Sequence, residues 1–313
     1  MSGWLILSAF VLSLVLAEPR RIPHPVIGIG RLVEKLEIAL AVLENRRRAG
    51  ILLVVLTLSL TGLGTALILW AATAIHPFLA GLVALWIAYT GFALRSLHKE
   101  TTEVVALVEA GHLSEARRAL SLIVGRETRT LNEEEIIKAC IESMAENTSS
   151  GLVAPLFYLS LGGPVALMVY KAVTTLDSMV GYLTERYREL GWAAARLDDL
   201  ANWIPARLTG VLMIPAAFCL RLNGFNAVRI MLRDARKHRS PNAGWPEASA
   251  AGALGVQLGG PAIYFGEQTQ KAVLGEPDRP ATPPEYHRMI RLTYLTAVMA
   301  IILGLLLHNW IWG

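Results

Sequence analysis

From Ile51 to Ile75 the chain carries no charged side chain, and beyond His76-Pro77 a second charge-free run continues to Leu94. A helix of about 20 apolar residues crosses a bilayer, and in lipid every backbone N–H and C=O must be paired within the chain. Two such runs separated only by His76-Pro77 predict a helical hairpin across a membrane. The composition agrees: 54% of the 313 residues are hydrophobic and 17% are charged, against roughly 25% charged in soluble domains. Disorder, collagen and disulfide scaffolds are excluded. Cys140 and Cys219 stand far apart and outside any CxxC spacing, so no zinc knuckle or redox pair is encoded. The net charge of +4 fits basic loops beside anionic lipid better than a nucleic-acid surface.

Leu292–Trp312 predicts another span, with Trp310 and Trp312 suited to an interfacial belt. Trp4–Ala17 is short for a crossing and has no preceding Lys or Arg, which favours an uncleaved anchor over a signal peptide. Residues 151–173, interrupted by Leu161-Gly162-Gly163-Pro164, and 208–220, containing Pro215, are weaker apolar segments. Broken segments of this kind belong where they line a cavity or are covered by protein. The basic residues fall between the spans: Arg20, Arg21, Arg31, Lys35 and Arg46 to Arg48, then Arg95, Lys99, Arg117, Arg118, Arg126 and Arg129, and later Arg229, Arg233, Arg236, Lys237 and Arg239. The positive-inside rule assigns these loops to the cytoplasm and leaves the number of central crossings open. The expected fold is an all-α, polytopic integral membrane protein, one domain over 1–313. It has spans near 4–17, 51–75, 77–94 and 292–312, broken or re-entrant central helices, and a cytoplasmic helical insert over 96–147. In that insert Glu103, Val104, Leu107, Val108, Leu113, Ala116 and Leu120 recur at helical spacing. Gly111 ends one helix, Ser114 is expected to cap the next, and Asn132 with Glu135 forms a capping box. No strand ladder is predicted, and Pro277–Pro284 reads as a linker.

Four polar clusters lie beside the apolar segments. Glu142 and Glu146 are i,i+4, on one face of a helix that leads into the 151–173 segment; a solvated acidic face is the plain alternative. Lys171 and Asp177 enter an apolar stretch, where ionisable groups are costly and mark function by default. If helical, Asp198 and Asp199 reach Asn202 and form an oxygen-rich face of the kind that suits Mg²⁺ and phosphate. Arg186, Arg188, Arg196 and Arg207 nearby suit bidentate grips on oxyanions. Last, Arg239-Ser240-Pro241-Asn242-Ala243-Gly244-Trp245-Pro246-Glu247 makes a rigid turn into an Ala/Gly-rich helix built for close packing. His24 sits between prolines, a position that suits structure more than catalysis. No Walker loop, HExxH, GxSxG or Rossmann fingerprint occurs.

These strings together make the chain similar to the CobD/CbiB family of cobalamin biosynthesis. The resemblance runs through His24-Pro25-Val26 with Ile29-Gly30-Arg31-Leu32, Ile123–Thr128, Glu142-Ser143 with Ala145-Glu146-Asn147, and Val153–Tyr158. It continues through Tyr170-Lys171-Ala172, Thr175–Tyr182, Glu185–Tyr187, Gly191–Thr209, Ser240–Ala248 and Gly252–Val256. The chain departs from the family pattern at Ser150, where an aspartate is usual, and at Thr174, where an asparagine is usual. The resemblance implies ATP- and Mg²⁺-dependent joining of the free propionate of adenosylcobyric acid to (R)-1-amino-2-propanol O-2-phosphate or a related amino alcohol. It also implies an inner (cytoplasmic) membrane location, no nucleic-acid partner, and contact with other late cobalamin-pathway membrane enzymes.

On that resemblance the residues divide by chemistry. Glu146, Asp177, Asp198 and Asp199 would serve Mg²⁺, ATP phosphates or the amine proton, with Glu146, Asp198 and Asp199 as metal ligands and Lys171 in the catalytic set. Lys171, Arg186, Arg196 and Arg207 would neutralise phosphate, and Asn147, Asn202 and Asn242 would donate to oxygens or corrin amides. Trp203 and Trp245 would offer flat surface, and Ser240, Glu247 and His24 complete the substrate-binding set. The competing expectations are a corrinoid-binding or transport protein without catalysis, and a silent relative serving in signalling or assembly.

Overall fold

The computed structural model describes residues 3–16, 24–182, 184–264 and 266–313, with Tyr264 described by its backbone. Ala17, at the end of the first expected span, and Arg20, Arg21, Ile22 and Pro23 after it lie outside the described residues. In chain order the helices are α1 (Gly3–Val15), α2 (Pro25–Leu40), α3 (Arg46–Ile75), α4 (Pro77–Thr90), α5 (Leu94–Glu109), α6 (Leu113–Leu120) and α7 (Glu133–Thr148). A π-helical turn, Ser149–Val153, leads into α8 (Ala154–Val180), followed by α9 (Trp192–Ala201), α10 (Trp203–Cys219), α11 (Gly224–Asp234) and α12 (Gly244–Leu254). Strands β1 (Leu258–Tyr264) and β2 (Glu267–Leu274) precede α13 (Pro283–Trp312).

Four helical stretches are long and apolar enough to cross a membrane: Arg46–Ile75, Pro77–Glu109, Glu133–Val180 and Pro283–Trp312. Gly3–Val15 and Trp203–Cys219 are apolar but shorter. Along α3, Val55, Leu60, Leu63, Leu67 and Trp70 are exposed. A continuous bare apolar face on that scale is stable in lipid, not in water. The protein is an all-α polytopic membrane protein. His76 breaks the hairpin as expected: it is extended, its Nδ1 accepts the Phe78 N–H, and Pro77 opens α4.

The chain forms two compact units, Met1–Phe92 with Pro155–Asn202 and Leu303–Gly313, and Ala93–Ala154 with Trp203–Ile302. In the first, Ile29 and Val33 of α2, Leu53 of α3, Met168, Ala172 and Leu176 of α8 and Ala194 of α9 form one core. The Gly162-Gly163 interruption is real: Gly162 (φ −139°, ψ 20°) and Gly163 (φ 66°, ψ −160°) leave helical geometry just before Pro164. In the second unit α5, α6 and α7 pack together, burying Val104, Val108, Ala116, Leu120, Ile137 and Ile141. The capping box forms as predicted, since Asn132 accepts from the Glu135 N–H while Glu135 accepts from Asn132. Ser114 does not cap α6; its hydroxyl donates to Glu115, and His112 occupies the cap position without a side-chain bond.

The antiparallel hairpin β1–β2, with an irregularity between Leu258 and Gly260, corrects the expectation of no strands. Gly259-Gly260-Pro261 and the polar Glu267-Gln268-Thr269-Gln270-Lys271 run hide the apolar alternation by which strands are recognised. Helix α12 is buried along almost its whole length, and its small residues let α11 come close. A Cβ on Gly252 would lie 2.5 Å from the Asn226 carbonyl oxygen and 2.8 Å from the Ala227 Cα. Gly252→Val is therefore expected to cost about 1–3 kcal/mol by overpacking, read as a lowered Tm of detergent-purified protein. Gly28→Ala, which meets nothing within 4 Å, should leave the Tm level or slightly raised.

Candidate functional site

In the second unit, one face of α7 points Glu142 inward, where it is 5% exposed. Its Oε1 accepts the Gly259 N–H at 2.8 Å, and its Oε2 accepts from Lys271 Nζ at 2.8 Å and lies 3.2 Å from Arg126 Nη2. The hairpin supplies two of these partners. Gly259 has φ +79°, and a Cβ there would run into the Ala272 carbonyl, so only glycine turns its N–H toward the carboxylate. A buried ion costs several kcal/mol in lost hydration; two cations and a backbone donor offset that cost here. Burial pulls the Lys271 ammonium down, but Glu142 beside it outweighs this and holds it above its ordinary value.

Glu247, on the first turn of α12, enters the same neighbourhood. It is 2% exposed, its Oε1 stands 3.8 Å from His238 Nε2, and its Oε2 has no hydrogen-bond partner among the described residues. Burial, then the charge of Glu142, pushes its carboxyl well above the usual range, which favours the protonated acid, the form able to donate a hydrogen bond. Glu146, one turn beyond Glu142 and exposed, lies within electrostatic reach of Glu247. Burial likewise lowers the His238 imidazole; its Nδ1 accepts the Ser240 N–H at 3.0 Å.

Arg126 also lines a cavity of about 590 Å³ together with Arg117, Arg118, Arg129, Glu127 and Ser114. The loop holding it is tied down: Glu127 N–H donates to the Ile263 carbonyl, and Glu127 Oε1 accepts the Gly266 N–H. An oxyanion in this cavity would meet a set of guanidinium groups, one of which is shared with the buried carboxylate.

The Ser240–Glu247 stretch folds as a tight turn in which Ser240 Oγ accepts the Asn242 and Ala243 N–H groups. Asn242 is buried. The turn presents Trp245 to Arg207, whose guanidinium lies 4.7 Å from that ring and 4.1 Å from the Trp203 ring, while Nη1 donates to the Trp203 carbonyl at 2.7 Å. Three expected binding residues thus meet in one stack. Asn147 is back-bonded to the Ser143 carbonyl at 2.9 Å, on the turn just before the π-helix, a local irregularity that recurs at functional sites.

The first unit holds the remaining predicted residues. The adjacent Asp198 and Asp199 face different neighbours, as successive helical positions must. Asp198 lies in electrostatic reach of the Tyr158 and Tyr170 phenols, whose rings stack at 4.8 Å. Asp199, raised by burial despite the opposing charge of Arg196, lies in reach of Asp177. Asn202 is committed elsewhere: its amide nitrogen donates to the Asp198 main-chain carbonyl and its oxygen accepts from the Tyr170 hydroxyl at 2.9 Å. The expected three-residue oxygen face is therefore replaced by the Asp177–Asp199 pair.

Arg186 pairs with Glu37 at 2.8 Å, Lys171 is half-buried on α8, and His24 caps α2 by accepting the Val26 N–H at 3.3 Å. The Gly162 break lines an apolar cavity of about 470 Å³ with Tyr158, Val165, Val169, Tyr170 and Leu200, as expected of an interrupted segment.

Lys271, Arg126, Glu142 and His238 were not among the predicted site residues. Arg126 and Glu142 stand inside recognisable strings, so their burial was the missing signal; Lys271 had none, because its strand was not foreseen.

The cluster makes two predictions. Glu142→Gln leaves Lys271 and Arg126 buried without a counter-charge and should cost about 3–5 kcal/mol, seen as a lower Tm or loss of folded protein. Glu247 has a folded pKa above its unfolded value of about 4.3, so its contribution is full below that value and lost as pH rises toward the folded pKa. His238, lowered when folded, acts in the opposite sense, losing stability as pH falls through about 6.5. Tm measured from about pH 5 to pH 8 should therefore fall more, or rise less, in the native chain than in Glu247→Gln. Parallel curves would show Glu247 to be ionised.

Comparison with known proteins follows the same strings. The family model described as CobD/Cbib protein matches residues 6–293. "Cobalamin biosynthesis protein CobD" of Pelobacter propionicus is 48% identical over 298 residues, 95% of this chain and 92% of that protein. The protein of the same name from Geobacter metallireducens is 46% identical, covering 97% and 96%. "Cobalamin biosynthesis protein CbiB" of Salmonella arizonae is 41% identical, covering 97% of each. No solved structure matches. With the family model matching from α1 into the start of α13, the chain belongs to the CobD/CbiB family.

Proposed function

We propose that this protein is a cobalamin-biosynthetic membrane enzyme that forms an amide between the propionate carboxyl of adenosylcobyric acid and an amino alcohol or its phosphate, (R)-1-amino-2-propanol O-2-phosphate in the family-typical case, driven by ATP. The observation that carries the proposal is the junction at Arg126, where an arginine-lined cavity meets the buried Glu142–Lys271 pair and the neutral acid Glu247. A carboxylate is a poor acyl donor, since its charge repels nucleophiles and its oxygen leaves badly. Transfer of the ATP γ-phosphoryl to that carboxylate releases ADP and gives an acyl phosphate. The amine then attacks, expelling phosphate and one proton.

Arg117, Arg118, Arg126 and Arg129 neutralise the phosphates, as fixed guanidinium groups do for oxyanions. Glu247 donates its proton in a hydrogen bond to a developing oxyanion, and Arg207 between Trp203 and Trp245 binds a second anionic group against a flat apolar surface.

Among the described residues no three His, Cys, Asp or Glu side chains gather around a metal position. Mg²⁺ needs no such cage, because one or two carboxylates, water and substrate phosphates complete its shell. The Asp177–Asp199 pair of the first unit fits that donor chemistry. Held by these two carboxylates, a magnesium ion would supply positive charge for substrate phosphate. The arginine-bearing loops face the cytoplasm of an inner membrane, where ATP is available and other late-pathway membrane enzymes supply and remove corrinoid.

The test is product mass after incubating purified protein with adenosylcobyric acid, ATP, Mg²⁺ and a panel of amino alcohols and their phosphates. A mass equal to corrinoid plus amine minus water, with stoichiometric ADP, is expected. Asp177→Asn and Asp199→Asn should each lower kcat about 10²–10³-fold while the protein stays folded. Corrinoid uptake into vesicles without ADP release would assign the chain to transport instead.

A further inference from the structure

In the second unit a cavity of about 670 Å³ is lined by Arg221, Arg279, Arg288 and Arg291, with Asn223 and Asp278 among the remaining lining residues. We propose that it binds the oxyanion of a phosphate ester, a site separate from the arginine cavity at Arg126 and independent of the reaction assigned above. Four guanidinium groups face one lining carboxylate. Arg288 is paired with Glu285 at 3.1 Å; Arg221, Arg279 and Arg291 form no salt bridge among the described residues. Elsewhere in this unit Arg229 is paired with Glu276, and Arg233 with both Asp234 and Glu276. Three guanidinium groups without a salt-bridge partner thus line one cavity.

The backbone supplies an independent sign. Arg221 has φ 56°, the single positive-φ residue other than glycine among those described. It ends α10 in a left-handed turn, with Arg221 N–H donating to the Phe218 carbonyl and Leu222 N–H to the Ala217 carbonyl. Helix ends of this shape favour glycine, and a long side chain there is strained. An arginine held against that preference is explained if its guanidinium serves a ligand. Arg279 is fixed as well, its N–H donating to the Gly255 carbonyl at 2.9 Å.

The cavity lies where apolar helices turn polar. Arg221 follows the apolar α10 almost directly, and Arg288 and Arg291 immediately precede the apolar Leu292–Trp312 stretch of α13. Basic cavities at the ends of membrane helices bind anionic headgroups, and arginine forks match the paired oxygens of a phosphate. The volume lies within the range of small-ligand sites. The phosphate ester has two possible sources: the headgroup of an anionic phospholipid, or a soluble phosphorylated molecule.

Full-length protein in phosphatidylcholine nanodiscs doped with phosphatidylglycerol distinguishes them. Native mass spectrometry reads retained phosphatidylglycerol, and calorimetry reads binding of O-phosphoethanolamine and inorganic pyrophosphate. Arg279→Gln with Arg291→Gln should weaken the retained or bound ligand at least about tenfold, the scale of one or two lost charge-assisted contacts. Arg31→Gln with Arg46→Gln, equal in charge and outside the cavity, should leave binding unchanged. Arg221→Gly should raise the Tm by relieving the turn while weakening binding, a pairing that misfolding cannot produce. Selective phosphatidylglycerol retention identifies the lipid source, and saturable binding of a soluble phosphate the other. Binding of neither, or equal losses in the cavity and control pairs, would overturn the proposal.

Discussion

Everything in the second unit is organised around one ionised carboxylate kept from water. Glu142 is surrounded by Lys271 and the Gly259 N–H of the hairpin and by Arg126 of the 125–129 loop. Without those partners α7 could not stay packed where it is, because a lone buried charge costs more than most single contacts return. With them, the hairpin and the 125–129 loop are both anchored to α7. The same field acts on Glu247: burial together with the nearby Glu142 charge raises a second carboxyl and favours its protonated form. The two acids are therefore pushed in opposite directions because their partners differ, a separation of roles that acid–base and oxyanion chemistry commonly uses.

The membrane imposes the second constraint. Helices such as α3 leave large apolar side chains bare, so polar chemistry must collect where helices are interrupted, shortened or followed by loops. The molecule follows this rule at several points. The Gly162-Gly163 break opens an apolar cavity beside stacked Tyr158 and Tyr170, the π-turn follows Glu146-Asn147, and the tight Ser240 turn brings Trp245 onto Arg207. Within the second unit, α12 packs closely on α11 through small residues just beyond the Ser240 turn.

The long spans, the His76-Pro77 turn, the Asn132 capping box and the interrupted α8 were legible in the sequence because each follows from local periodicity or turn chemistry. The meeting of Arg207 with Trp203 and Trp245, and the approach of Glu146 to within electrostatic reach of Glu247, were legible only as composition: the residue types were recognised, their proximity was not. The hairpin escaped notice because glycine, proline and polar residues conceal its alternation, and Lys271 escaped with it. Asp198 and Asp199 looked like one oxygen-rich face from their spacing, yet tertiary neighbours divide them, with Asn202 taken up by Tyr170 and the main chain.

The protonation of Glu247 at neutral pH is the most direct expression of this arrangement. Infrared difference spectroscopy of the full-length protein, comparing the native chain with Glu247→Gln at pH near 7, reads it without any assumption about substrates. A carboxylic-acid carbonyl band present in the native protein and missing from the variant is the predicted result. A carboxylate band lost in its place would mean that Glu247 is ionised, and the account of the buried cluster would be wrong.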